Sequence, residues 1–482
     1  MLDLPIYMEK SFYFYDTETS GLRPATSRIM QFAGQRTNMN LESIGEPDDL
    51  LIKLTPDILP DPDAVLIHGI TPQQTIQDGL TEAEFSRYFQ DNIATPNTIF
   101  VGFNTVRFDD EFVRYNMYRN FHEPYEWQWK DGRSRWDLMD ALRMMRALRP
   151  EGIEWPFDDK GNPTVRLELM TAANGLNHEN AHTAIADVNA TIDVAKLMKT
   201  AQPKLFEYLL NIRGKKDVQK IVENDDTFVY TSGKFAGEYL KTTLATTIIK
   251  HPKRDAVIVY DLRHDPEQFL SMTTEQLAES WRVKYGEDKV RLPIKTLQYN
   301  KCPAIAPVSV LDKLSQDRLK INIEQANQYK NTIKNNPEFI ARISEALGIV
   351  EDKQAKLFES DDVDAQLYDS FWSSSDKYTL NQILNHAPAT LGELTSKIKD
   401  KRILKLLPLY KARNYPAFLS PEEHDAYETF RHHKLLNGGN ESEYGRFMQR
   451  LQALAYEKTS SRDKYLLTEL QLYAESIAPA ID

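Results

Sequence analysis

The stretch Phe12-Tyr13-Phe14-Tyr15-Asp16-Thr17-Glu18 joins four aromatic residues to an acidic pair. Aromatic residues favour β-structure, so the stretch predicts a buried strand that leads into the pair. Alternate side chains of a strand lie on one face, and Asp16 and Glu18 converge there if the strand extends that far. Two carboxylates held together are costly unless a cation neutralises them. Exposed acidic pairs are also common, so the pair alone leaves that alternative open.

The residues around this stretch alternate between strand-like and helical patterns. A second strand is predicted over residues 98–103. Helical patterns cover residues 82–91, 110–120, 137–148 and 184–198. This alternation predicts an α/β domain in which helices cover a sheet.

The pattern changes after residue 203. Strands over 227–233 and 255–260, with helices around 274–284 and 316–347, indicate a small β-rich domain. From residue 363 onward the pattern is mostly helical. We therefore expect three domains, over 11–200, 201–357 and 358–482.

Composition narrows the class of protein. A chain of 482 residues with 41% hydrophobic residues is long and apolar enough for several folded domains and is unlike a disordered chain. The sequence shows no apolar run of membrane-spanning length and no signal-peptide pattern. Cys302 is the single cysteine, which excludes an intramolecular disulfide. We expect a soluble, cytoplasmic protein that does not contact membranes.

The net charge of −12 bears on nucleic-acid binding. It disfavours a non-specific DNA coat protein, because phosphates repel a uniformly acidic surface. It does not exclude a nuclease, since the local charge of a groove matters more than the total.

Two further acidic clusters follow the first. Asp109 and Asp110 come directly after the second predicted strand, and either one is an alternative N-cap for the next helix. Asp187 lies in an apolar helical stretch, where an unpaired buried acid is unfavourable. His182 precedes that stretch, where an imidazole can reach a bound water or serve as an ordinary loop residue.

The order and spacing of these clusters resemble the DEDDh class of 3′→5′ exonucleases. That class has Asp-x-Glu on a first strand, then an Asn-x-x-x-Phe-Asp element, then His-x-x-x-x-Asp. Residues 67–71, Ile-His-Gly-Ile-Thr, are similar to the family's loop beside the terminal nucleotide, and Arg166-Leu167-Glu168-Leu169 precedes the last motif at a familiar distance. The histidine of the last motif distinguishes this class from its tyrosine-bearing branch.

The resemblance implies the catalytic roles. Asp16, Glu18 and Asp187 would hold a metal ion on the attacking side, and Asp16 would bridge to a second ion bound by Asp109. His182 would act as general base. Asp110 stays an alternative to Asp109 as the ligand. Two divalent ions roughly 4 Å apart can activate water and stabilise the leaving oxyanion, and oxygen ligands suit Mg²⁺. We expect two Mg²⁺ ions, with Mn²⁺ able to substitute.

The resemblance extends to the bacterial exonuclease I family over nearly the whole chain. It is carried by residues 104–111, 134–138, 147–153, 299–303, 363–369 and 411–416. The family implies a ribonuclease H-like DEDD exonuclease domain, an SH3-like β-barrel domain and an all-helical C-terminal domain around a channel for single-stranded DNA. It also implies a monomer that releases 5′-mononucleotides processively, in DNA repair and recombination.

Aromatic and basic residues supply candidate strand contacts. Stacking of bases on aromatic rings contributes roughly 1–3 kcal/mol per base and tolerates any sequence. The predicted substrate contacts are Glu18, His68, Arg114, Tyr125, Trp129, Arg143, Arg166, Gln366 and Tyr368. For any single aromatic residue, a place in the core is an equal alternative.

The family also docks on the acidic tail of single-stranded DNA-binding protein (SSB). Arg149, Tyr208 and Arg318 resemble residues of that docking pocket. The sequence departs from the family at residues 336–340, where a further arginine is expected, although Arg342 is nearby.

Three other functions compete with this one. A DEDDh ribonuclease has the same catalytic core and differs in how it treats the 2′-hydroxyl. A catalytically inactive binding adaptor is disfavoured because all four acids and His182 are retained. A purely structural helical protein leaves the three motifs unexplained.

Overall fold

The computed structural model describes residues 9–177, 183–284, 286–358 and 360–479. The strands in this part of the chain form two five-stranded sheets. They are β1 (Ser11–Thr19), β2 (Ile29–Thr37), β3 (Asp48–Leu51), β4 (Thr98–Gly102), β5 (Ser134–Asp137), β6 (Thr227–Thr231), β7 (Thr242–Lys250), β8 (Ala256–Asp261), β9 (Ile294–Gln298) and β10 (Ala304–Pro307).

The α-helices are α1 (Pro62–His68), α2 (Pro72–Asp78), α3 (Glu82–Tyr88), α4 (Asp109–Arg119), α5 (Leu138–Leu148), α6 (Leu167–Ala173), α7 (Ala184–Ala201), α8 (Pro203–Asn211), α9 (Lys215–Asn224), α10 (Glu267–Leu270), α11 (Thr274–Arg282), α12 (Lys313–Leu319), α13 (Ile323–Lys334), α14 (Pro337–Phe358), α15 (Ser374–Leu384), α16 (Lys401–Asn414), α17 (Pro421–Leu436), α18 (Glu443–Glu457) and α19 (Ser461–Ile477). A π-helical turn, Phe89–Ile93, continues α3. Short 3₁₀ segments are Thr105–Arg107, Glu126–Gln128, Lys130–Gly132, Gly237–Tyr239, Val308–Val310, Val363–Tyr368, Pro388–Lys397, Pro416–Phe418 and Gly439–Glu441.

The elements agree with most of the predicted ones. The strand through the aromatic stretch extends to Thr19 and therefore includes both acids. The region predicted as helical over 316–347 is divided among α12, α13 and α14. Lys320, in a left-handed conformation (φ 51°), ends α12, and Pro337 begins α14.

The first sheet has the order β3-β2-β1-β4-β5. β1 pairs antiparallel with β2 and parallel with β4, the latter from Ser11 to Phe14. Phe12 and Phe14 on one face and Tyr13 and Tyr15 on the other are all buried. Both faces of β1 are therefore covered, as in sheets with helices on each side.

The chain forms two compact units. The first contains the described residues of 1–134, 179–189 and 360–482, and the second those of 135–178 and 190–359. The predicted domain boundaries at 200 and 357 mark changes of pattern along the sequence and stay predictions.

The carboxy-terminal helices of the first unit share cores with the residues around β1. Tyr118 of α4 and Phe121, which follows that helix, pack in one cluster with Leu380, Leu406 and other residues of α15 and α16. A second cluster joins Met30 and Val65 to apolar residues of α18 and α19. These helices therefore brace the sheet that carries the acidic pair.

The second unit contains the antiparallel sheet of order β10-β6-β7-β8-β9. Helix α5 packs against β6, β7 and β10, and α13 and α14 pack against β7. In the part of the chain that the structure describes, no helix is both long and apolar enough to cross a membrane.

A buried network of charges connects distant segments of the first unit. Asp364 accepts hydrogen bonds from Arg28 (2.6 Å) and Arg413 (2.8 and 2.9 Å), and Arg413 also donates to Asp57 (2.8 Å). Lys434 lies 3.0 Å from Asp57. Burial by itself would raise the pKa of each aspartate, but the facing cations hold both pKa values well below the usual range.

We predict that Asp364→Asn destabilises the protein by about 3–5 kcal/mol, because it leaves buried Arg28 and Arg413 short of one negative charge. The folded pKa of Asp364 is depressed, so its contribution is present above about pH 4 and is lost as the pH falls below that value. Denaturant unfolding at pH 7 and at pH 3 measures both effects. The difference between variant and wild type should be smaller at pH 3.

Asp425→Asn is the matched control, because the Asp425 side chain is 87% exposed. Equal unfolding free energies for Asp364→Asn and this control at pH 7 would contradict the prediction.

Candidate active site

The end of β1 presents the acidic pair. Asp16 and Glu18 lie on one face of the strand, and β1 extends beyond its parallel pairing with β4, which stops at Phe14. The register between β1 and β2 shifts directly after Glu18, as at a β-bulge. The pair therefore lies at the carboxyl end of β1, where functional side chains of α/β sheets commonly gather.

Helix α7 brings a third carboxylate to this place. Asp187 lies in its first turn, and the Asp187 N–H donates to the Thr183 carbonyl (3.1 Å). One carboxylate oxygen from each of Asp16, Glu18 and Asp187 lies within 4.8 Å of the other two, and all three side chains are partly buried. This set of oxygen donors suits a hard divalent cation.

The pKa values record how costly this gathering is without a cation. Burial raises the pKa of Asp16 well above its usual value, and the charges of its acidic neighbours raise it further. Burial and the charges of Asp187 and Asp109 raise the pKa of Glu18 to about 8. A bound cation would remove this repulsion, so the residues fit a metal site.

Asp109 reaches the same place from β4 by a tight turn. A Cβ at Gly102 would lie 2.0 Å from the Thr105 side chain, and Asn104 takes a left-handed conformation (φ 74°). After this turn, the Asp109 carboxylate accepts hydrogen bonds from the Thr17 N–H (3.1 Å) and hydroxyl (2.5 Å). Burial raises the pKa of Asp109 to about 7.

Asp110 lies in a different environment. Its buried carboxylate accepts a hydrogen bond from the Tyr15 hydroxyl. The charge of Asp109 contributes to the raised pKa values of Asp16 and Glu18. Neither aspartate is the N-cap of α4, because Phe108 occupies that position, so that alternative is wrong.

The structure describes only one of the two predicted histidines. His182 lies outside the described residues. His68 ends α1 and is buried, and its Nδ1 accepts a hydrogen bond from the Ile70 N–H (3.0 Å). Burial lowers the pKa of His68 to about 4, so the imidazole is neutral near pH 7.

Several predicted strand contacts form one group in the first unit. Arg114 is buried and donates to Glu111 (2.6 Å), Gln128 (2.6 Å) and Tyr368 (3.3 Å). Its guanidinium lies 5.7 Å from the ring centroid of Tyr125. Arg114 therefore orients the two tyrosines.

Phe371 extends this group and was not predicted from the sequence. Its side chain is 84% exposed, and its ring centroid lies 5.8 Å from that of Tyr125. An exposed phenylalanine next to other rings is a stacking surface, but its sequence context, Ser-Phe-Trp-Ser, carries no distinguishing pattern. Trp129 is 63% exposed, and Gln366 donates to the Ser360 carbonyl (2.9 Å).

Two other predicted contacts belong to the second unit. Arg143 pairs with Asp140 (2.6 Å) and lies against Gly233, where a Cβ would come 2.8 Å from its guanidinium. Arg166 is half exposed, and its backbone N–H donates to the Thr164 hydroxyl (3.2 Å). The loop before Arg166, which contains Thr164, therefore helps to hold Arg166 in place.

Arg146 fixes that loop and was also missed in the sequence. It donates to the carbonyls of Pro156 (3.0 Å) and Thr164 (2.7 Å) and lies near the rings of Trp155 and Phe157. Burial lowers its pKa to about 10. The signal in the sequence that could have identified Arg146 was its position among the apolar residues of α5.

The three predicted docking residues also lie in the second unit. Arg149 pairs with Asp312 (3.3 Å) and donates to the Val310 carbonyl (3.0 Å). Arg318 donates to the Ala147 carbonyl (2.8 Å), and the Tyr208 hydroxyl donates to the Ile305 carbonyl (3.2 Å). Asp312 thus neutralises part of the charge that an acidic tail would meet.

Three family models match the chain in succession: Exonuclease over residues 13–195, Exonuclease I SH3-like domain over 213–348, and Exonuclease I C-terminal domain over 361–477. The exodeoxyribonuclease I of Haemophilus influenzae is 39% identical over 475 residues, which cover 97% of this chain and 98% of that protein.

Solved structures also match over nearly the whole chain. Escherichia coli exonuclease I in complex with a dA16 oligonucleotide has a TM-score of 0.92 and 38% identity, over 98% of this chain and all of that one. A structure of SSB/exonuclease I in complex with the inhibitor CFAM has a TM-score of 0.88 and 37% identity, over 98% and 100% of the two chains.

These matches confirm the predicted architecture of a ribonuclease H-like exonuclease domain, an SH3-like domain and a helical C-terminal domain. They also confirm the predicted activity, 3′→5′ exonuclease action on single-stranded DNA. The chain belongs to the exodeoxyribonuclease I family.

Proposed function

We propose that this exonuclease removes 5′-mononucleotides processively from the 3′ end of single-stranded DNA, using two Mg²⁺ ions held by Asp16, Glu18, Asp109 and Asp187. The observation that carries the proposal is the approach of three carboxylates within 4.8 Å, with Asp109 electrostatically coupled to two of them. A role in DNA repair and recombination, the monomeric state and the cytoplasmic location stay predictions.

The donor set supports the metal assignment. Asp16, Glu18 and Asp187 would hold one ion, and Asp16 with Asp109 the other. When bound, such ions supply Lewis-acid activation of water and neutralisation of the phosphate charge. Mn²⁺ prefers the same oxygen ligands and is expected to substitute.

The protein's own residues supply orientation and proton transfer. Thr17 fixes the Asp109 carboxylate by two hydrogen bonds, so this group does not rotate away from Asp16. We assign His182 as the base that accepts the proton of the attacking water, because an imidazole titrates near working pH. That assignment rests on the sequence motif. Neutral His68 can contact the terminal nucleotide without adding charge.

Strand binding is assigned to aromatic side chains of the first unit and, separately, to basic side chains of the second. The exposed rings of Tyr368, Phe371 and Trp129 offer stacking surfaces, and Arg143 and Arg166 offer phosphate contacts. The complex of the E. coli enzyme with dA16 supports single-stranded DNA as the ligand. Spread over many contacts, binding would survive the loss of one metal ligand.

We also propose that Arg149, Tyr208 and Arg318 receive the acidic tail of SSB. The SSB/exonuclease I structure supports SSB as a partner. Arg149 and Arg318 are each partly exposed. Backbone carbonyls fix both terminal guanidinium nitrogens of Arg149 and one of Arg318, so both side chains present oriented guanidinium groups to a carboxylate.

One prediction concerns the cleavage reaction. With Mg²⁺, 3′-labelled single-stranded DNA should lose its label first, whereas 5′-labelled DNA should convert to a short end product with few intermediate lengths, and EDTA should stop both. Asp187→Asn should abolish cleavage and keep strand binding, and His182→Ala should lower turnover by about 10²–10⁴-fold. Time courses on single-stranded DNA, duplex DNA and matched RNA measure these outcomes.

Asp193→Asn is the matched control, because Asp193 lies on the same helix and pairs with Lys196. Faster cleavage of RNA than of DNA would indicate a DEDDh ribonuclease instead. If the wild type binds DNA tightly but does not cleave it, a catalytically inactive binding adaptor would be favoured.

Another prediction tests whether Asp109 or Asp110 is the metal ligand. Asp109→Asn should lower turnover by about a hundredfold or more, because a metal ligand contributes several kcal/mol. Asp110→Asn should stay within about tenfold of wild type, since an amide oxygen can still accept from Tyr15. Turnover numbers at saturating Mg²⁺ and DNA decide between the two, and a reversed order would make Asp110 the ligand.

A further prediction concerns the binding of the acidic SSB tail. Asp312→Asn should raise the affinity for an acidic SSB tail peptide by up to about fivefold, because it frees Arg149 from a competing carboxylate. Asparagine can retain the N-cap that Asp312 provides to α12. Arg149→Ala should weaken binding. Titration of a labelled peptide measures both, and unchanged affinities for the two variants would remove this pocket from the docking site.

A further inference from the structure

A second basic site lies at one end of the antiparallel sheet in the second unit. It is a pocket of about 410 Å³ between the β6–β7 hairpin, the residues that follow β8 and those that lead into β9. We call it the basic pocket; six lysine or arginine residues line it, against three acidic ones: Lys234, Arg263, Lys284, Lys289, Arg291 and Lys295, and Glu238, Asp261 and Glu287.

The positive charge of the basic pocket is poorly neutralised. Among the described residues, no carboxylate forms an ion pair with Lys289, Arg291 or Lys295. Burial and the neighbouring charges of Arg291 and Lys234 lower the pKa of Lys295 to about 8. Cations gathered against their mutual repulsion are better explained by an anionic ligand than by a structural role.

Asp261 offsets part of this charge, because its carboxylate acts on both Lys295 and Arg263. It accepts hydrogen bonds from the Thr243 hydroxyl (2.5 Å) and the Arg263 N–H (3.1 Å), and His264 lies 3.8 Å away. Its carboxylate is therefore engaged within the wall of the pocket.

An aromatic ring adjoins the cations. The guanidinium of Arg263 lies 3.7 Å from the ring centroid of Tyr239, and its donors are fixed by the carbonyls of Leu319 (2.8 Å) and Thr242 (3.0 Å). A fixed arginine stacked on a tyrosine, surrounded by lysines, combines a flat surface for a base with donors for phosphate.

The hairpin relates the basic pocket to a predicted DNA contact within the same unit. Gly233 lies against Arg143, and the next residue, Lys234, lines the basic pocket. A strand whose phosphate contacts Arg143 can therefore pass over the hairpin and meet these cations.

We propose that the basic pocket binds the sugar-phosphate backbone of single-stranded DNA, as a contact additional to those of Arg143 and Arg166. The proposal rests on the proposed function, which supplies the ligand. An acidic peptide is disfavoured because the lining offers few apolar side chains, and the largest of them, Phe235, is itself buried.

The test is the double substitution Lys289→Gln/Arg291→Gln, with binding of fluorescent dT20 measured in EDTA over a range of salt concentrations. Loss of two phosphate contacts should weaken binding roughly tenfold and reduce the slope of log K against log salt by about 1.4, or 0.7 per contact. Both side chains lie outside the core, and thermal melts verify that the variant folds.

Lys313→Gln is the matched control, because Lys313 is exposed and lies in the same unit. Affinity and salt slope equal to those of wild type would overturn the proposal. A loss of binding that affects only free dTMP, or only the acidic SSB tail peptide, and leaves dT20 binding unchanged would also overturn it. Because binding is measured without metal, failure of the proposed cleavage mechanism would be seen separately, in the time courses.

Discussion

Mutual repulsion among carboxylates is the constraint around which the first unit is organised. Asp16, Glu18 and Asp187 must stay within 4.8 Å although burial and charge raise the pKa values of the first two. Side chains on flexible loops would separate to relieve that repulsion. Here each carboxylate is attached to a regular element, a strand covered on both faces or the first turn of a helix. The rigidity of the fold keeps them together until a cation binds.

The carboxy-terminal helices contribute to that rigidity through charge as well as apolar contact. Arg413 and Asp364 lie on the carboxy-terminal segment, and they pair with Asp57 and Arg28 from segments next to the first sheet. Such buried pairs add little net stability compared with an apolar core, but they penalise any arrangement that separates the partners. They thus favour one way of packing the helices against the sheet, beyond what the apolar clusters require.

Local chemistry explains which features could be predicted from the sequence. The aromatic strand, the acidic pair and the helical patterns depend on neighbouring residues, and the structure has them where the sequence indicates. Pairs such as Arg28 with Asp364 join residues 336 positions apart, and no local pattern reports them. The supporting role of Arg146 and the exposure of Phe371 depend on loops whose course is set by tertiary contacts. Asp109 was found by its spacing, but only the turn at Gly102 and the bonds to Thr17 separate its environment from that of Asp110.

The distribution of charge resolves the apparent conflict between a net charge of −12 and a polyanionic substrate. The buried acids of the catalytic cluster would be offset by metal ions, and Asp57 and Asp364 are already paired with cations. Neither group presents free negative charge to a DNA strand. In the second unit, by contrast, Lys295 is gathered with other cations, and burial together with the charges of Arg291 and Lys234 lowers its pKa. A DNA strand responds to this local field over roughly one Debye length, about 10 Å at 0.1 M salt, and distant surface acids are screened. The total charge then governs solubility, and the local arrangement governs where the strand binds.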